Sequence, residues 1–336
     1  MSHQRIQYID QIKGFAIFLV VFAHAIGWNL SNWQQVLLMD YSKPCFWEKS
    51  LLWSIIYSFH MPLFFFISGL FTPPICKSTM KEYILKKTRR LLLPYIVTGF
   101  LMILARGYYG YWFLFSLWET SLLAIIPIVL SHSINKKNSV LVDIGIFGVM
   151  YIVLRYCLNM IPATPFAEFD RCLFSLPCFF LGIIVGKHKL LDKLNSRSFT
   201  FLFFIFVLSF IIRYLPFIVD DSQLIYKIVG YVKSLLTPIA ATLLVTNLFK
   251  LGISEKVGNL LSLLGKKSLQ IYILHVFFVI QLPVIGEFII KQNGMTCVVL
   301  QLIYSFMIAT IAIILSLLVA GVFQRSRLLQ KICFGS

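Results

Sequence analysis

The sequence predicts an all-α fold, a polytopic transmembrane bundle of about ten helices with both termini in the cytoplasm. Three observations predict it. Of 336 residues, 59% are hydrophobic and 13% charged, and mean hydropathy is +0.86, whereas an ordinary globular domain is roughly 45–50% apolar and a quarter charged. The 32 phenylalanines are spread along the whole length, so the apolar excess is not the content of one core. Finally, the basic residues fall mostly on alternate connecting segments, as membrane topology requires.

The apolar runs are Ile12 to Leu30, Leu51 to Phe71, Leu91 to Ala105, Tyr111 to Leu130, Val140 to Leu158, Cys172 to Gly186, Phe199 to Pro216, Ile228 to Phe249, Ser268 to Ile290 and Cys297 to Phe323. A core of about 30 Å needs about twenty helical residues, so the third and sixth runs are short and are expected to extend into the Arg106 and Lys187 flanks. With the N-terminus inside, twenty-one of the 30 Lys and Arg residues lie on inner segments and seven on outer ones, with Arg155 and Lys233 inside spans. That bias sets the orientation. It also accounts for a net charge of +17 without a nucleic-acid partner, which a soluble chain of this charge would suggest.

The first run is long and contains Lys13 and His24, so it reads as a retained helix and not as a cleaved signal. The chain reads as a single integral-membrane domain over 1–336 with no soluble domain; its longest extramembrane loop, Ser31 to Ser50, is too short to fold alone, and thirteen residues follow Phe323. The seven cysteines show no CxxC or Cys/His ligand spacing, so neither a metal site nor a disulfide framework is expected. Phosphate-loop, dinucleotide, zinc-protease and nucleophile-elbow motifs are absent from the sequence. Chemistry is therefore expected within the membrane or at its faces.

Ionisable side chains inside apolar spans cost about 2.5–3.5 kcal/mol at helix centre on insertion scales, which makes each a functional candidate. His24, His60, Glu119 and His275 are the principal ones. On the first helix Asp10 and Lys13 are three apart and can pair. Lys13 and His24 share a face, separated by about 16 Å along the axis. His60 precedes Pro62, whose missing N–H frees a carbonyl one turn earlier. His275 stands about 10 Å beyond Lys267. Depth arithmetic staggers the three imidazoles along a hydrophilic passage, although unrelated packing histidines would give the same pattern. Tyr108 and Tyr109 read as an interfacial aromatic belt, while Glu119, two turns inside the fourth run, needs a partner such as His24. Lys77, Lys81, Lys86, Lys87, Arg89 and Arg90 crowd the inner loop Cys76 to Arg90. Such a cluster is ordinarily drawn to anionic lipid, but Lys86/Arg89 and Lys87/Arg90 form two i,i+3 pairs able to grip phosphates.

These pieces together resemble the acyltransferase family 3 integral-membrane acyltransferases. The resemblance rests first on Asp10, Lys13, Gly14 and His24, then on the run from Phe59 through His60 and Pro62 to Ser68 and Gly69. Arg89 to Tyr95, Trp112-Phe113-Leu114 and Gly265 to His275 follow in the expected order, so it covers residues 8 to about 275. Lys13 departs from the Arg common in the family, keeping the charge but losing the bidentate fork. One member of each basic pair, Lys86 or Lys87, departs in the same way.

The resemblance implies an O-acyltransferase of a cell inner or plasma membrane. It would carry acetyl, or another acyl group, from cytoplasmic acyl-CoA to a hydroxyl of a lipid-linked or exported polysaccharide of the envelope. Acetyl-CoA is then a co-substrate and no bound cofactor is implied; the partners are the lipid bilayer, the donor and the glycan acceptor, and a homodimer is compatible. His24 is expected as the base, with Lys13, Asp10 and Glu119 beside it in the catalytic group. Lys86, Lys87, Arg89 and Arg90 would hold the donor phosphates. His60, Ser68, Trp112, Tyr272 and His275 would line the passage or the acceptor site, with Tyr111 also able to stack on a sugar. A saccharide transporter or flippase is the competing expectation, since buried polar residues also line transport routes, but the matched broken helices of transporter halves are not found in the sequence.

Overall fold

The computed structural model describes residues 7–30, 46–107, 110–160, 169–212, 223–292 and 294–335. Most of the expected outer loop, residues 31–45, and the pair Tyr108 and Tyr109 lie outside them. All regular structure among the described residues is helical. Seven stretches are long and apolar enough to cross a bilayer, namely Gln7–Gly27, Leu52–Leu70, Ser78–Ala105, Trp112–Ile134, Val140–Leu158, Gln223–Leu251 and Gly294–Phe323. An eighth results if Ser268–Phe278 and Pro283–Ile289, bent by 96°, form one span. Cys172–Lys187 and Ser196–Ile212 are apolar but shorter. Each of the ten expected runs overlaps one of these helices or the bent pair, the end of the seventh, 213–216, lying outside the described residues, but seven or eight meet the length and composition of a span.

The chain forms two compact units. The first contains residues 1–61 and 195–322 and is built around α1 (Gln7–Leu30). Ile9, Ile12, Ala16, Ile17, Val20, Val21 and Ala23 are all buried, so α1 lacks the one-sided pattern of a peripheral helix and sits in the core. Around it stand α2 (Phe46–Tyr57), α12 (Thr237–Leu251), α13 (Glu255–Lys266), α14 (Ser268–Phe278) and α15 (Pro283–Ile290). Its closest neighbour is α13, and two glycines make that approach: a Cβ on Gly14 would collide with the Leu261 carbonyl, and one on Gly265 with the Asp10 carbonyl. Small residues at such a crossing let backbones touch, the usual basis of helix association in lipid. α16 (Gly294–Phe323) repeats the device with a buried stripe that includes Ser305, Ala309, Ala312, Ser316 and Ala320.

The second unit contains residues 62–194 and 323–336. Its helices are most of α3 (His60–Leu70), with α4 (Lys77–Lys87), α5 (Leu93–Arg106), α6 (Trp112–Leu123), α7 (Ile125–Ile134), α8 (Val140–Asn159), α9 (Phe169–Lys187) and α17 (Arg327–Phe334). Glycines again permit contact: Gly69 faces the Phe179 carbonyl and Gly182 the Phe66 carbonyl.

The basic segment expected as an inner loop is helical. Cys76 starts α4, its N–H donating to Thr79 Oγ1 at 3.0 Å, and α4 runs through a π-turn, Thr88–Leu92, into α5. Residues 77–93 contain no Gly or Pro to interrupt it, and their Lys, Glu, Met and Leu are good helix formers.

Candidate active site

His24 lies on α1 and His275 on α14, and their side chains meet. His24 Nδ1 is 2.7 Å from His275 Nε2, and the rings are nearly parallel, 3° apart in plane with centroids at 5.0 Å. His275 is fully buried and His24 half-buried. The staggered depths expected from the sequence are thus corrected: two of the three imidazoles share one level. Rise per residue gives depth only along a single helix, and α1 and α14 do not start from a common baseline.

The proton positions follow from one further contact. His275 Nδ1 is 3.0 Å from the Ile271 carbonyl. A carbonyl only accepts, so His275 Nδ1 carries the hydrogen. In a neutral ring Nε2 is then a bare acceptor, and His24 Nδ1–H must be the donor to it. Neutral His24 is left with its lone pair on Nε2. A backbone carbonyl one turn back in α14 therefore sets, through two imidazoles, which nitrogen of His24 is basic. His275 Nε2 thus stands at His24 Nδ1, the place of an orienting partner.

His60 is arranged by its own helix break. Between α2 and α3 the chain makes a turn at Ser58 and Phe59, one turn before Pro62, where Phe59 N–H donates three residues back to the Ile56 carbonyl at 3.2 Å. His60 Nδ1 donates to the Ile56 carbonyl at 2.8 Å, while the ring stands edge-on to Tyr57 with centroids 4.7 Å apart. His60 is 3% exposed, and its neutral form also keeps its lone pair on Nε2. Tyr272 is buried one turn before His275, their ring centroids 5.9 Å apart.

At the Gln7 end of α1, Lys13 Nζ lies 3.9 Å from Asp10 Oδ1, as their spacing predicts. Asp10 is 3% exposed and borders a cleft of about 360 Å³ lined also by Gln7, Asn259, Ser262 and Lys266. This polar cleft lies between α1 and α13, and its α13 side carried no signal in the sequence beyond an amphipathic helix.

The remaining expected residues lie in the second unit. Glu119 is buried on α6, and Trp112 begins that helix with its ring edge-on to Phe113. The basic cluster divides in two. Lys86, Arg89 and Arg90 are exposed, whereas Lys87 turns inward, donating to Ser68 Oγ at 3.2 Å with Nζ over the rings of Tyr83 and Phe179 at 5.5 and 5.9 Å. Lys87 thus belongs with Ser68 and not with the exposed cations.

One cluster was not anticipated. Asp143, on α8, is fully buried; its carboxylate accepts from Ser131 Oγ, Lys187 Nζ and His188 Nε2, each at 2.7 Å. In the sequence Asp143 looks like an ordinary acid in a helix's first turn, which the dipole favours. No group of His, Cys, Asp and Glu among the described residues has the arrangement of a metal site.

A family model described as an acyltransferase domain matches residues 6–325, taking in the His24–His275 pair and all helices before α17. Among curated proteins and among solved structures, nothing matches the chain.

Proposed function

We propose, because this chain belongs to the acyltransferase 3 family, that it is a multi-pass membrane O-acyltransferase of the cell's inner or plasma membrane, with both termini cytoplasmic. In this reading it carries acetyl from cytoplasmic acetyl-CoA to a hydroxyl of a lipid-linked or exported polysaccharide. The observation that carries the reading is the Ile271–His275–His24 chain, which fixes the tautomer of neutral His24 with its basic nitrogen at Nε2, inside an acyltransferase. Neutral imidazole suits the removal of a hydroxyl proton during attack.

The acceptor O–H gives its proton to His24 Nε2 as its oxygen bonds to the thioester carbonyl carbon. The C–S bond breaks, and the departing thiolate takes the proton from the imidazolium. The products are the ester and free coenzyme A. While His24 is charged, its Nδ1–H still donates to His275 Nε2, which stabilises the imidazolium without itself taking a proton, as the third member of a triad does. The exposed Lys86, Arg89 and Arg90 hold the donor phosphates through charge-assisted hydrogen bonds, and Lys87 with Ser68 forms a polar step inside them. Lys13 and Asp10 belong to the donor side of α1, while His60, Tyr272 and Trp112 line the passage or the acceptor site.

The test is ester content. Surface glycans from a strain whose own gene is replaced by the His24→Ala version should lack the acetyl esters that the wild-type gene restores, with equal protein in the membrane. Unchanged acetyl content would refute the assignment of the base.

A further inference from the structure

The π-turn Thr88–Leu92 has a defined cause and an unexpected cover. Leu93 N–H donates to the Thr88 carbonyl, a π-type bond. The next residue, Pro94, has no N–H. The Arg89 carbonyl therefore loses the helical donors at both i+4 and i+5. Such π-bulges occur frequently at functional sites, and this one presents Arg89 and Arg90 together on an exposed surface.

Two elements of the same unit hold the turn. From α6, Trp118 Nε1 donates to Thr88 Oγ1 at 3.1 Å. From the other side α17, which packs against α5, ends on the arginine backbone. A Cβ added to Gly335 would stand 2.6 Å from the Arg89 carbonyl oxygen and 2.7 Å from Arg90 Cα, and Gly335 has φ +66°. Glycine fits there on both counts, close approach and left-handed backbone. Cys333 and Phe334 anchor the end of α17, at 3% and 2% exposure, the Phe334 ring lying 6.2 Å from that of Phe323. The Lys331 carbonyl accepts from Gly335 N–H at 3.1 Å, so this exposed lysine stands one turn from the point of contact.

We infer that α17 is a working part of the anion site. Gly335 fixes the turn that aims Arg89 and Arg90, and Lys331 adds a further cation for the phosphate groups of the nucleotide thioester donor. Gly335 is a positioning residue; Lys331 is a binding residue. The inference rests on the donor assignment made above, and the experiment separates the two.

Full-length protein in phosphatidylcholine nanodiscs, with and without phosphatidylglycerol, is assayed for KM and kcat with acetyl-CoA and for binding of free coenzyme A and of dephospho-CoA. Gly335→Val should raise KM by about tenfold, equivalent to roughly 1.4 kcal/mol, with kcat within about twofold, and Gly335→Ala should fall between the two. Lys331→Gln should weaken coenzyme A binding about three- to fivefold, an effect that shrinks as salt is raised. Arg197→Gln, an exposed cation elsewhere, should leave both quantities unchanged. If wild-type protein turns over acetyl-CoA and none of the three α17 variants shifts KM or coenzyme A binding, the role of α17 is refuted and the acyltransferase reading stands. If Gly335→Val does not accumulate, Gly335→Ala and Lys331→Gln decide the matter by the same measures. If Lys331→Gln changes only the response to phosphatidylglycerol, the anion is a lipid headgroup and the donor assignment for α17 is overturned. If wild-type protein neither binds coenzyme A nor transfers acetyl, the proposed function itself fails.

Discussion

His275 in the first unit and His188 in the second are both buried imidazoles within 2.7 Å of another ionisable side chain, yet their surroundings suit opposite tasks. His275 is held by a carbonyl and a second imidazole, so the chain can stay uncharged and pass its hydrogen-bond polarity on to His24. His188 and Lys187 both converge on the Asp143 carboxylate, which also accepts from Ser131. One arrangement joins neutral rings through their nitrogens and the other gathers donors around a charge. The difference teaches that burial of a histidine says little by itself. What its partners leave unfilled decides whether it can do chemistry.

Substitutions can break that contrast, and the largest effect is expected at His24. His24→Ala should lower the transfer rate by about 10²- to 10⁴-fold while the thermal midpoint of the detergent-solubilised protein stays near wild type. A large drop in that midpoint would place His24 among the structural residues instead. Asp143→Asn should do the reverse. It replaces the buried carboxylate that faces Lys187 and His188 with a neutral amide and should cost about 1–3 kcal/mol of stability, read as a lower midpoint, with the rate per folded molecule preserved.

His275→Ala falls between these. Losing the acceptor of the His24 Nδ1–H should slow transfer by roughly ten- to thirtyfold, the worth of about 1.5–2 kcal/mol for one buried hydrogen bond. His275→Gln, whose side-chain oxygen still accepts, should recover part of it. Equal losses in both variants would show that packing, not the hydrogen bond, is what matters. The smallest effect concerns Cys76, outside the spans. Hydrogen bonds to its sulfur from Ser78 and Thr79 bring the thiol down to about 7, so its maleimide labelling should rise with pH through about 7 and not near 9. Cys76→Ser should leave transfer unchanged.

Much of the fold was legible in residue type alone. Lipid demands long apolar helices, and each of the ten expected runs coincides over most of its described length with helix, the ninth with a break at 279–282. Asp10, Lys13, His24 and His275 could be picked out because ionisable groups are expensive where they stand. Contact between His24 and His275 could not, because they lie 251 positions apart and helical periodicity carries no information about which levels of two helices coincide. The basic stretch after Cys76 misled for a different reason. Charge was read as a sign of loop, while its helix-forming residues and a capping Thr79 favoured continuation. Asp143 escaped notice because its partners Lys187 and His188 come from another helix and look like ordinary inside charge.

The bend after α14 has one more consequence. Residues 279–282 are outside regular structure, although Val279 N–H still donates to the His275 carbonyl and the Leu282 carbonyl accepts from Ile285 and Gly286 N–H; a peptide group left without a partner would be costly in hydrocarbon. Ile280 and Leu282 are substantially exposed, so protein alone does not enclose the stretch. The stretch begins one helical turn, about 6 Å along the axis, beyond His275. The same irregularity that interrupts the span therefore ends α14 within a turn of the imidazole pair, so the two rings meet beside a break in the helix and not along its middle.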